Sequence, residues 1–271
     1  MLKAEEVVPQ TKRSIIPFTP RTCGCKSGRF HGAEGQFASY CTCYEGIRER
    51  ESDESWERTR RENRERGLLT CFQECDEEIR AYTWETYPKE GDQEALAYVR
   101  SIPASWDGKR GLVLSGGIGC GKTIMMACLF QDLIPIVARL PRATGSLCRA
   151  RFAPMVRILA ELRGTFGPHP ASGAPSFSAV LVDYRDAYLL CIDDVGVEQL
   201  TPFVAEQFYA IVNDRVWKGL PTFLTTNLSL DELRAHLTPR VFSRLLPKVD
   251  MLGVVGPDLR ELAAEQQREG K

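Results

Sequence analysis

A glycine-rich run, GGIGCGKT at residues 116–123, limits the possible folds of this chain more than any other segment. It follows an apolar run, residues 111–115, that predicts a short buried strand, and it precedes an apolar helical segment. A glycine-rich turn between a strand and a helix directs backbone N–H groups at phosphate oxygens. We expect Lys122 to reach the β- and γ-phosphates of ATP and the Thr123 hydroxyl to ligate Mg²⁺. The turn is expected to be formed by Gly116, Gly117, Gly119 and Gly121.

The length and composition indicate a soluble protein with one substantial core and room for a smaller module, at 271 residues. The net charge of −1 argues against a uniformly basic nucleic-acid binder, although a local basic strip is compatible with it. No apolar run approaches the ~18 residues of a membrane helix, and the N-terminus lacks a signal-peptide core. We therefore expect a cytoplasmic protein without membrane contact, whose 10 cysteines are metal ligands and buried thiols rather than disulfides.

Cysteines cluster near the N-terminus in a pattern that predicts a zinc site. Two C-x-C pairs are separated by fifteen residues, and thiolates from two tight turns can complete a tetrahedral Zn²⁺ site. Free thiols or a redox pair are the alternatives, and His31 between the pairs is able to replace one sulfur. Cys71 and Cys75 have i, i+4 helical spacing, which favours packed thiols over further ligands. The predicted zinc ligands are Cys23, Cys25, Cys41 and Cys43, and the cysteines that need no function are Cys120, Cys128, Cys148 and Cys191.

Composition divides the chain into three parts. Residues 1–45 form the zinc module, and residues 46–79 form a charged helical linker, for which a solvated helix is favoured over a nucleic-acid patch. Residues 80–271 alternate strand-like and helical runs, which predicts an α/β domain with a parallel sheet flanked by helices. Strands are predicted at 111–115, 188–192, 220–226 and 251–255. Helices are predicted at 124–133, over 152–162 and from Thr201-Pro202 onward, with a surface loop at 164–178.

A second motif, LLCIDD at residues 189–194, is typical of a buried strand that ends in two acids. In parallel α/β sheets, ligands bind at the carboxyl ends of the strands. There Asp193 would hold Mg²⁺ through water, and Asp194 would polarise the water that attacks the γ-phosphate. An ordinary strand that ends in a polar turn is the alternative, which the complete phosphate-binding loop disfavours.

Polar and basic residues after the next strand complete the candidate site. Asn227, in the run TTN, suits a sensor between the γ-phosphate and the attacking water. The alternative is that Asn227 caps the following helix, a role that Ser229 also suits. Further along, Arg240 and Arg244 are four residues apart and project from one helical face. Such an arginine can stabilise the transition state at a neighbouring subunit's γ-phosphate, whereas arginines on a surface helix are usually only solvated.

Taken in order, the runs GGIGCGKT, LLCIDDVGVE, TTN, PRVFSRL and GPDLR resemble those of AAA+ ATPases of the DnaC/DnaI helicase-loader type. The related IstB transposition ATPases share the same runs. The resemblance implies that Asn227 is the sensor-1 residue and that Arg244, supported by Arg240, is an arginine finger acting in trans. It also implies a second-sensor role for Arg260 and a further basic position at Arg215.

The resemblance covers roughly residues 80–260 and implies an AAA+ P-loop NTPase core. Only eleven residues follow Arg260, too few for the separate helical lid of most AAA+ ATPases. Because the loader clade likewise lacks a full lid, we expect a core without one. Asp194 occupies the position of the more general glutamate, and its shorter side chain predicts slow hydrolysis.

The resemblance implies a loader that places a replicative DnaB-type hexameric helicase on single-stranded DNA. ATP would drive self-association through Arg244, hydrolysis would release the loader, and the cysteine module would dock on the helicase. Phe152 and Arg151 are candidates for contacts with the DNA. One alternative is an IstB-like transposition ATPase that assembles on target DNA and recruits a transposase; these relatives usually lack the cysteine module, which favours the loader. The other alternative is an adaptor protein that is switched by nucleotide binding rather than by ATP turnover.

Overall fold

The computed structural model describes residues 44–73, 77–140, 149–166, 175–198 and 201–269. Several residues that the sequence singles out lie outside these ranges, or have side chains that do. They are the four predicted zinc ligands Cys23, Cys25, Cys41 and Cys43, together with His31, Cys71, Cys75 and Cys148. The zinc site therefore stays a prediction.

The chain divides into two compact units, residues 1–61 and residues 62–271. A long helix, α1 (Tyr44–Gln73), contributes residues to both. In the second unit, Leu68 and Phe72 near the end of this helix are buried in the apolar core. The three-part division drawn from composition stays a prediction.

The second unit alternates strands and helices along the chain. Its strands are β1 (Gly111–Gly116), β2 (Ala150–Pro154), β3 (Leu189–Val195), β4 (Thr222–Thr226) and β5 (Val249–Val254). Its helices are α2 (Glu77–Ala81), α3 (Gln93–Ser105), α4 (Lys122–Arg139), α5 (Met155–Gly164), α6 (Phe177–Asp186), α7 (Pro202–Lys218), α8 (Leu230–His236), α9 (Thr238–Leu245) and α10 (Leu259–Glu269). Short 3₁₀ turns cover Trp84–Thr86 and Leu246–Lys248.

The five strands form one parallel sheet in the order β2-β3-β4-β1-β5. At the carboxyl edge, Thr226 pairs with Ser115 on one side and with Val195 on the other. The ends of β1, β3 and β4 therefore meet at this edge, where parallel α/β sheets bind ligands. The predicted α/β fold, a parallel sheet flanked by helices, is confirmed.

Alternate strand residues face two apolar clusters on opposite sides of the sheet. Leu112 and Leu114 belong to the cluster with α3 and α4, whereas Val113 between them belongs to the cluster with α5 to α9. Burial on both faces explains why these strands are continuously apolar rather than alternating. The sheet is thus held rigidly, which fixes the positions of the polar side chains at its carboxyl edge.

Helix α7 begins where the sequence predicts. The Thr201 hydroxyl accepts a hydrogen bond from the Val204 N–H at 3.3 Å, and Pro202 occupies the first turn. The apolar stripe of this helix is buried in the second cluster, and it consists of Val204, Phe208, Ile211 and Val212.

The helix predicted over residues 152–162 is split in the structure. Pro154 ends β2, and α5 starts at Met155. Phe152 in β2 lies three residues before Met155 in α5, which is a helical spacing. The apolar pattern alone therefore does not reveal where the strand ends and the helix begins. The predicted surface loop over residues 164–178 also ends early, because α6 begins at Phe177.

Phe152 lies in the core rather than on a surface. Its ring is 6.5 Å from that of Phe72 and 5.7 Å from that of Phe130, centroid to centroid, and it is 4% exposed. The prediction that Phe152 stacks on DNA is therefore wrong. Arg151 beside it donates to the Asp183 carboxylate.

Arg215 is a structural residue at the amino edge of the sheet. It is 0% exposed, and burial lowers the pKa of its guanidinium to about 9. Its N–H groups donate to six oxygens that precede or begin β3 and β4, namely those of Tyr184, Arg185, Ala187, Tyr188, Pro221 and the Thr222 hydroxyl. The basic position implied at Arg215 therefore fastens two strand starts together and lies away from the carboxyl edge.

After β5, the part of the chain that the structure describes contains one helix, α10. Its start is tied to the glycine-rich loop, because the Leu259 N–H donates to the Gly119 carbonyl at 3.0 Å. None of the helices within the described ranges has both the length and the apolar character needed to cross a bilayer.

Candidate nucleotide-binding site

The glycine-rich loop connects β1 to α4 at the carboxyl edge of the sheet. Gly119 and Gly121 have φ values of 72° and 93°, in the left-handed region that favours glycine. A Cβ on Gly121 would lie 2.6 Å from the Tyr87 ring, so a larger residue would strain the loop. The loop ends directly at the first residue of α4, where free backbone N–H groups favour an anion.

The structure brings Lys122 together with Asn227. The Lys122 ammonium donates to the Asn227 Oδ1 at 2.7 Å, and to the carbonyls of Gly117 and Gly116 at 2.6 and 3.0 Å. It is 4% exposed, so these contacts hold a cation in a largely dry position. The three donors of the ammonium match these three oxygen acceptors.

Asn227 does not cap the following helix; Ser229 does. The Ser229 hydroxyl accepts the Glu232 N–H at 3.3 Å, and the Glu232 carboxylate accepts the Ser229 N–H at 2.8 Å. This reciprocal pair is a capping box at the start of α8. It leaves the Asn227 side chain directed at Lys122.

Asp193 is held between two hydroxyl groups. Thr123 Oγ1 lies 3.1 and 3.2 Å from the two carboxylate oxygens, and Thr225 Oγ1 donates to Oδ1. Burial raises the pKa of Asp193 to about 6, with a further increase from Asp194, while the two hydroxyl groups and Lys122 oppose it. The structure thus places a buried carboxylate beside the hydroxyl predicted to bind Mg²⁺.

Asp194 stands in a local irregularity of β3. The pairing with β4 shifts register between Ile192 and Val195, and Asp194 has a φ of 53°, which is rare for a residue other than glycine. Its N–H donates to Thr225 Oγ1 at 2.9 Å. The bulge turns Asp194 toward the cavity while Asp193 stays buried.

Thr225 joins the two acids, and sequence analysis missed this role. Its hydroxyl donates to Asp193 and accepts from the Asp194 N–H. It is 0% exposed, so its partners are fixed. The available signal was its position in the run TTN, at the end of the strand that pairs with β3.

The loop opens onto a cavity of about 310 Å³. Arg260 lines it, and so do Glu78 and Tyr82, which the sequence did not single out. The Tyr82 hydroxyl donates to Glu78 Oε1 at 2.6 Å, and burial together with this carboxylate raises the tyrosine pKa to about 12. The remaining lining residues are Pro88, Ile118, Gly119, Gly121, Lys122, Thr123, Ile124, Asp194, Asn227, Leu259 and Ala263.

The two arginines of α9 are not among the residues that line this cavity. Arg244 donates to the Asn213 side chain, and its guanidinium lies 5.8 Å from the centre of the Tyr209 ring on α7. Arg240, one turn earlier, is exposed. The structure therefore separates both arginines from the residues of the same chain that are predicted to bind phosphate.

The acids and hydroxyls of the site fit a magnesium ion. Mg²⁺ prefers oxygen ligands and retains several waters, which suits one hydroxyl and one carboxylate, Thr123 and Asp193. Elsewhere in the described ranges, no group of three or more histidine, cysteine or acidic residues is placed to hold a metal ion.

Comparisons with curated proteins find relatives among helicase loaders and insertion-sequence proteins. The replicative helicase loader DnaI of Bacillus subtilis is 25% identical over 151 residues, 54% of this chain and 42% of DnaI. The replicative helicase loader DnaC of Escherichia coli is 26% identical over 157 residues, 58% of each chain. A putative ATP-binding protein in an insertion sequence of Mycobacterium tuberculosis is 29% identical over 133 residues, 48% of this chain and 47% of that protein. The chain thus spans about half the length of these relatives.

Solved structures show the same fold. A DnaI crystal structure matches with a TM-score of 0.51 at 22% identity, covering 67% of this chain and 95% of that one. A crystal structure of the DnaC helicase loader matches with a TM-score of 0.52 at 19% identity, covering 66% and 100%. No protein-family model matches the chain. The resemblance drawn from the motifs is confirmed: the chain is similar to the DnaC/DnaI-type helicase loaders and to an insertion-sequence ATP-binding protein, and its α/β fold matches those of the DnaI and DnaC structures.

Proposed function

We propose that this protein is an ATP-dependent loader that places a replicative DnaB-type hexameric helicase on single-stranded DNA. One observation carries the proposal: Lys122, two acids and the Asn227 amide converge at one sheet edge in a chain that is similar to two helicase loaders. Hydrolysis of ATP would end the loading cycle and release the loader. A short second acid, Asp194, predicts slow turnover, which suits a timing step.

In this proposal each residue of the site has a separate task. The Lys122 ammonium exchanges its carbonyl partners for the β- and γ-phosphate oxygens of ATP, beside the N-terminus of α4. Thr123 and Asp193 hold Mg²⁺, whose charge offsets the burial that raises the Asp193 pKa. Asp194 polarises the attacking water, and Asn227 orients it. Mg²⁺ supplies neutralisation of the phosphate charge when it is bound.

The arginines of α9 would act on a neighbouring subunit. Arg244 lies outside its own cavity, on a face shared by α7 and α9, where a second copy can reach it. Placed against that copy's γ-phosphate, it would stabilise the charge of the transition state, with Arg240 in support. Arg260 would act in its own chain, because it lines the cavity. ATP would therefore hold neighbouring subunits together until hydrolysis.

The N-terminal module would dock on the helicase. Its four cysteines, Cys23, Cys25, Cys41 and Cys43, would bind Zn²⁺ and fold a short segment that has few apolar residues of its own. Protein docking also fits the near-neutral net charge of −1. A loader of this kind works in the cytoplasm, on single-stranded DNA that the assembled subunits grip.

A reconstituted loading reaction tests the proposal. The full chain, the replicative helicase of the same organism and circular single-stranded DNA are mixed with ATP, and the helicase retained on DNA after gel filtration is measured. Retention should depend on the chain and on ATP. Arg244→Ala should abolish it, whereas Arg234→Ala, which removes an exposed arginine from α8, should not. Equal retention without the chain would refute the proposal.

A transposition ATPase is the second candidate, supported by the insertion-sequence relative at 29% identity. It would assemble on double-stranded DNA and bind a transposase, so electron microscopy of the chain on duplex DNA with ATP separates the two functions. Ordered filaments on duplex DNA together with failed helicase loading would favour it. If Asp194→Ala left helicase release at the normal rate, ATP binding alone would be the switch.

A further inference from the structure

A partly buried pair of polar side chains lies close to the carboxyl end of β3, where the two acids stand. Glu198, four residues after Asp194, and His236, the last residue of α8, have side chains that are 6% and 13% exposed. His236 Nε2 lies 2.9 Å from Glu198 Oε1. Because the carboxylate is an acceptor, the Nε2 position carries the proton of this hydrogen bond. Neither residue lines the nucleotide cavity.

Glu198 also fastens the turn that carries Asp194. Its second oxygen, Oε2, accepts the Gly196 N–H at 3.1 Å. Gly196 has a φ of 102° and Asp194 a φ of 53°, so two residues of this turn adopt left-handed conformations. For Asp194 that conformation is unfavourable and persists only where the surroundings hold it. Leu228 closes the other side, 2.5 Å from where a Cβ on Gly196 would lie.

His236 lies between this turn and α9, the helix that contains Arg240 and Arg244. It stands two residues before Thr238, which has a φ of 63° and begins α9. Arg240 and Arg244 follow on the same helix. The bond between His236 and Glu198 thus joins the turn of Asp194 to the end of α8, two residues before the helix from which both arginines project.

We infer that Glu198 is a positioning residue for Asp194 and that His236 holds Glu198 in place. The pair ties the hydrolytic acid of one ATP site to the arginine helix that would serve the next subunit. This inference rests on the proposed ATPase function. Its consequence is that a shift of α9 against a neighbouring subunit would reach Asp194 through two hydrogen bonds, without passing through the nucleotide.

The alternative is that the pair only stabilises the fold, as many buried hydrogen bonds do. The two roles differ in what a substitution changes. If the pair is only structural, its loss would lower stability without a selective effect on turnover. If the pair positions Asp194, its loss would lower kcat and leave nucleotide affinity unchanged, because Lys122 and Thr123 do not contact Glu198.

The test compares Glu198→Ala, Glu198→Gln, His236→Phe and the double variant Glu198→Ala/His236→Phe in the full chain. Tyr184→Phe is the matched control, since it removes a 2.6 Å hydrogen bond to Glu161 outside the site. ATP turnover, affinity for a fluorescent ATP analogue and thermal unfolding are measured for each. Glu198→Ala and His236→Phe should lower kcat by about 10- to 100-fold, with affinity changed by less than about 2-fold.

Two features identify positioning. Glu198→Gln keeps an oxygen for the Gly196 N–H and should recover most of the rate that Glu198→Ala loses. The double variant should be no slower than the slower single variant, because both substitutions break one unit. Additive losses, or a Tyr184→Phe variant that loses as much kcat as His236→Phe, would overturn the inference.

Hydrogen exchange separates this inference from the proposed function. In the nucleotide-free chain, His236→Phe should speed amide exchange over residues 193–198 and over α9, and leave α6 unchanged. Unchanged exchange in both segments would overturn the link even if the protein is an ATPase. A wild-type chain that neither binds nor hydrolyses ATP would refute the proposed function and, with it, the role assigned to Glu198.

Discussion

Two buried cations occupy opposite edges of the same sheet, and both donate to backbone carbonyls. Lys122 at the carboxyl edge is 4% exposed, and Arg215 at the amino edge is 0% exposed. Lys122 lines a cavity of about 310 Å³, whereas all the acceptors of Arg215 are protein oxygens that it joins across two strand starts. Burial and carbonyl partners are therefore insufficient to mark a ligand site. What distinguishes Lys122 is that it lines a cavity, where the proposed ATP would replace its carbonyl partners.

The largest expected effect is at the amino edge. Arg215→Met removes the donors from the carbonyls of Ala187 and Pro221 and leaves them buried without partners. We expect the free energy of unfolding to fall by about 3–5 kcal/mol, measured by urea denaturation. Arg110→Met is the matched control, because Arg110 and Asp250 form an ion pair with side chains 51% and 41% exposed. That control should cost less than about 1 kcal/mol, and equal losses would contradict the structural role of Arg215.

At the carboxyl edge the expected effect is on binding instead of folding. Lys122→Ala should weaken the affinity for a fluorescent ATP analogue by about 100-fold, on the order of 3 kcal/mol. The free energy of unfolding should change by less than about 1 kcal/mol, because removing a buried cation also removes its desolvation cost. Lys218→Ala, which removes an exposed lysine paired with Asp186, should leave the affinity intact. An unchanged affinity in Lys122→Ala would remove the distinction between the two cations.

The contrast between the edges also explains what the sequence could predict. The glycine-rich loop, the acid pair and Asn227 lie in short runs whose residue types follow from local chemistry, so the sequence can single them out as candidates. The resemblance implied only a further basic position at Arg215, and its partners include carbonyls of Tyr184 to Tyr188, which only the sheet topology brings near. Long-range packing of this kind leaves no local pattern.

The same reasoning applies to β2, which was predicted as part of a helix, and to the turn that follows Asp193. Phe152 satisfies a helical spacing by coincidence, and its burial depends on Phe72 and Phe130, which are far away in the chain. Thr225 and Glu198 are ordinary polar residues until neighbouring elements place them against Asp193 and Gly196. The sequence thus offers candidates for the chemistry, whereas the residues that position those candidates become visible only in the structure.

The buried acid beside Lys122 makes the carboxyl edge sensitive to pH. Burial raises the pKa of Asp193 to about 6 in the folded chain, from an ordinary value of 3.8, so the folded state retains a proton that the unfolded state loses. Stability contributed by this group therefore falls as pH rises from about 4 to about 6, and it stays low above that range. Asp193→Asn lacks this loss. Its gain in unfolding free energy should grow from near zero at about pH 4 to about 2–3 kcal/mol at about pH 7.

This measurement uses urea denaturation with a chelator and without nucleotide, because a bound cation would lower the Asp193 pKa. The same substitution should abolish the Mg²⁺ dependence of nucleotide affinity, since Asp193 is the carboxylate beside Thr123. A constant stability difference between wild type and variant across this pH range would show that Asp193 is ionised throughout.

The smallest expected effect separates folding from catalysis at a single hydroxyl. Thr225→Val keeps the shape of the side chain but removes the donor to Asp193 and the acceptor for the Asp194 N–H. The free energy of unfolding should fall by about 1 kcal/mol, and kcat should fall by about 10-fold because Asp194 is no longer held in its left-handed conformation. Thr165→Val removes a comparable hydroxyl bond, to the Leu162 carbonyl at the end of α5, and should cost similar stability with no loss of kcat. Equal kcat in the two variants would mean that Thr225, like Arg215, only supports the sheet.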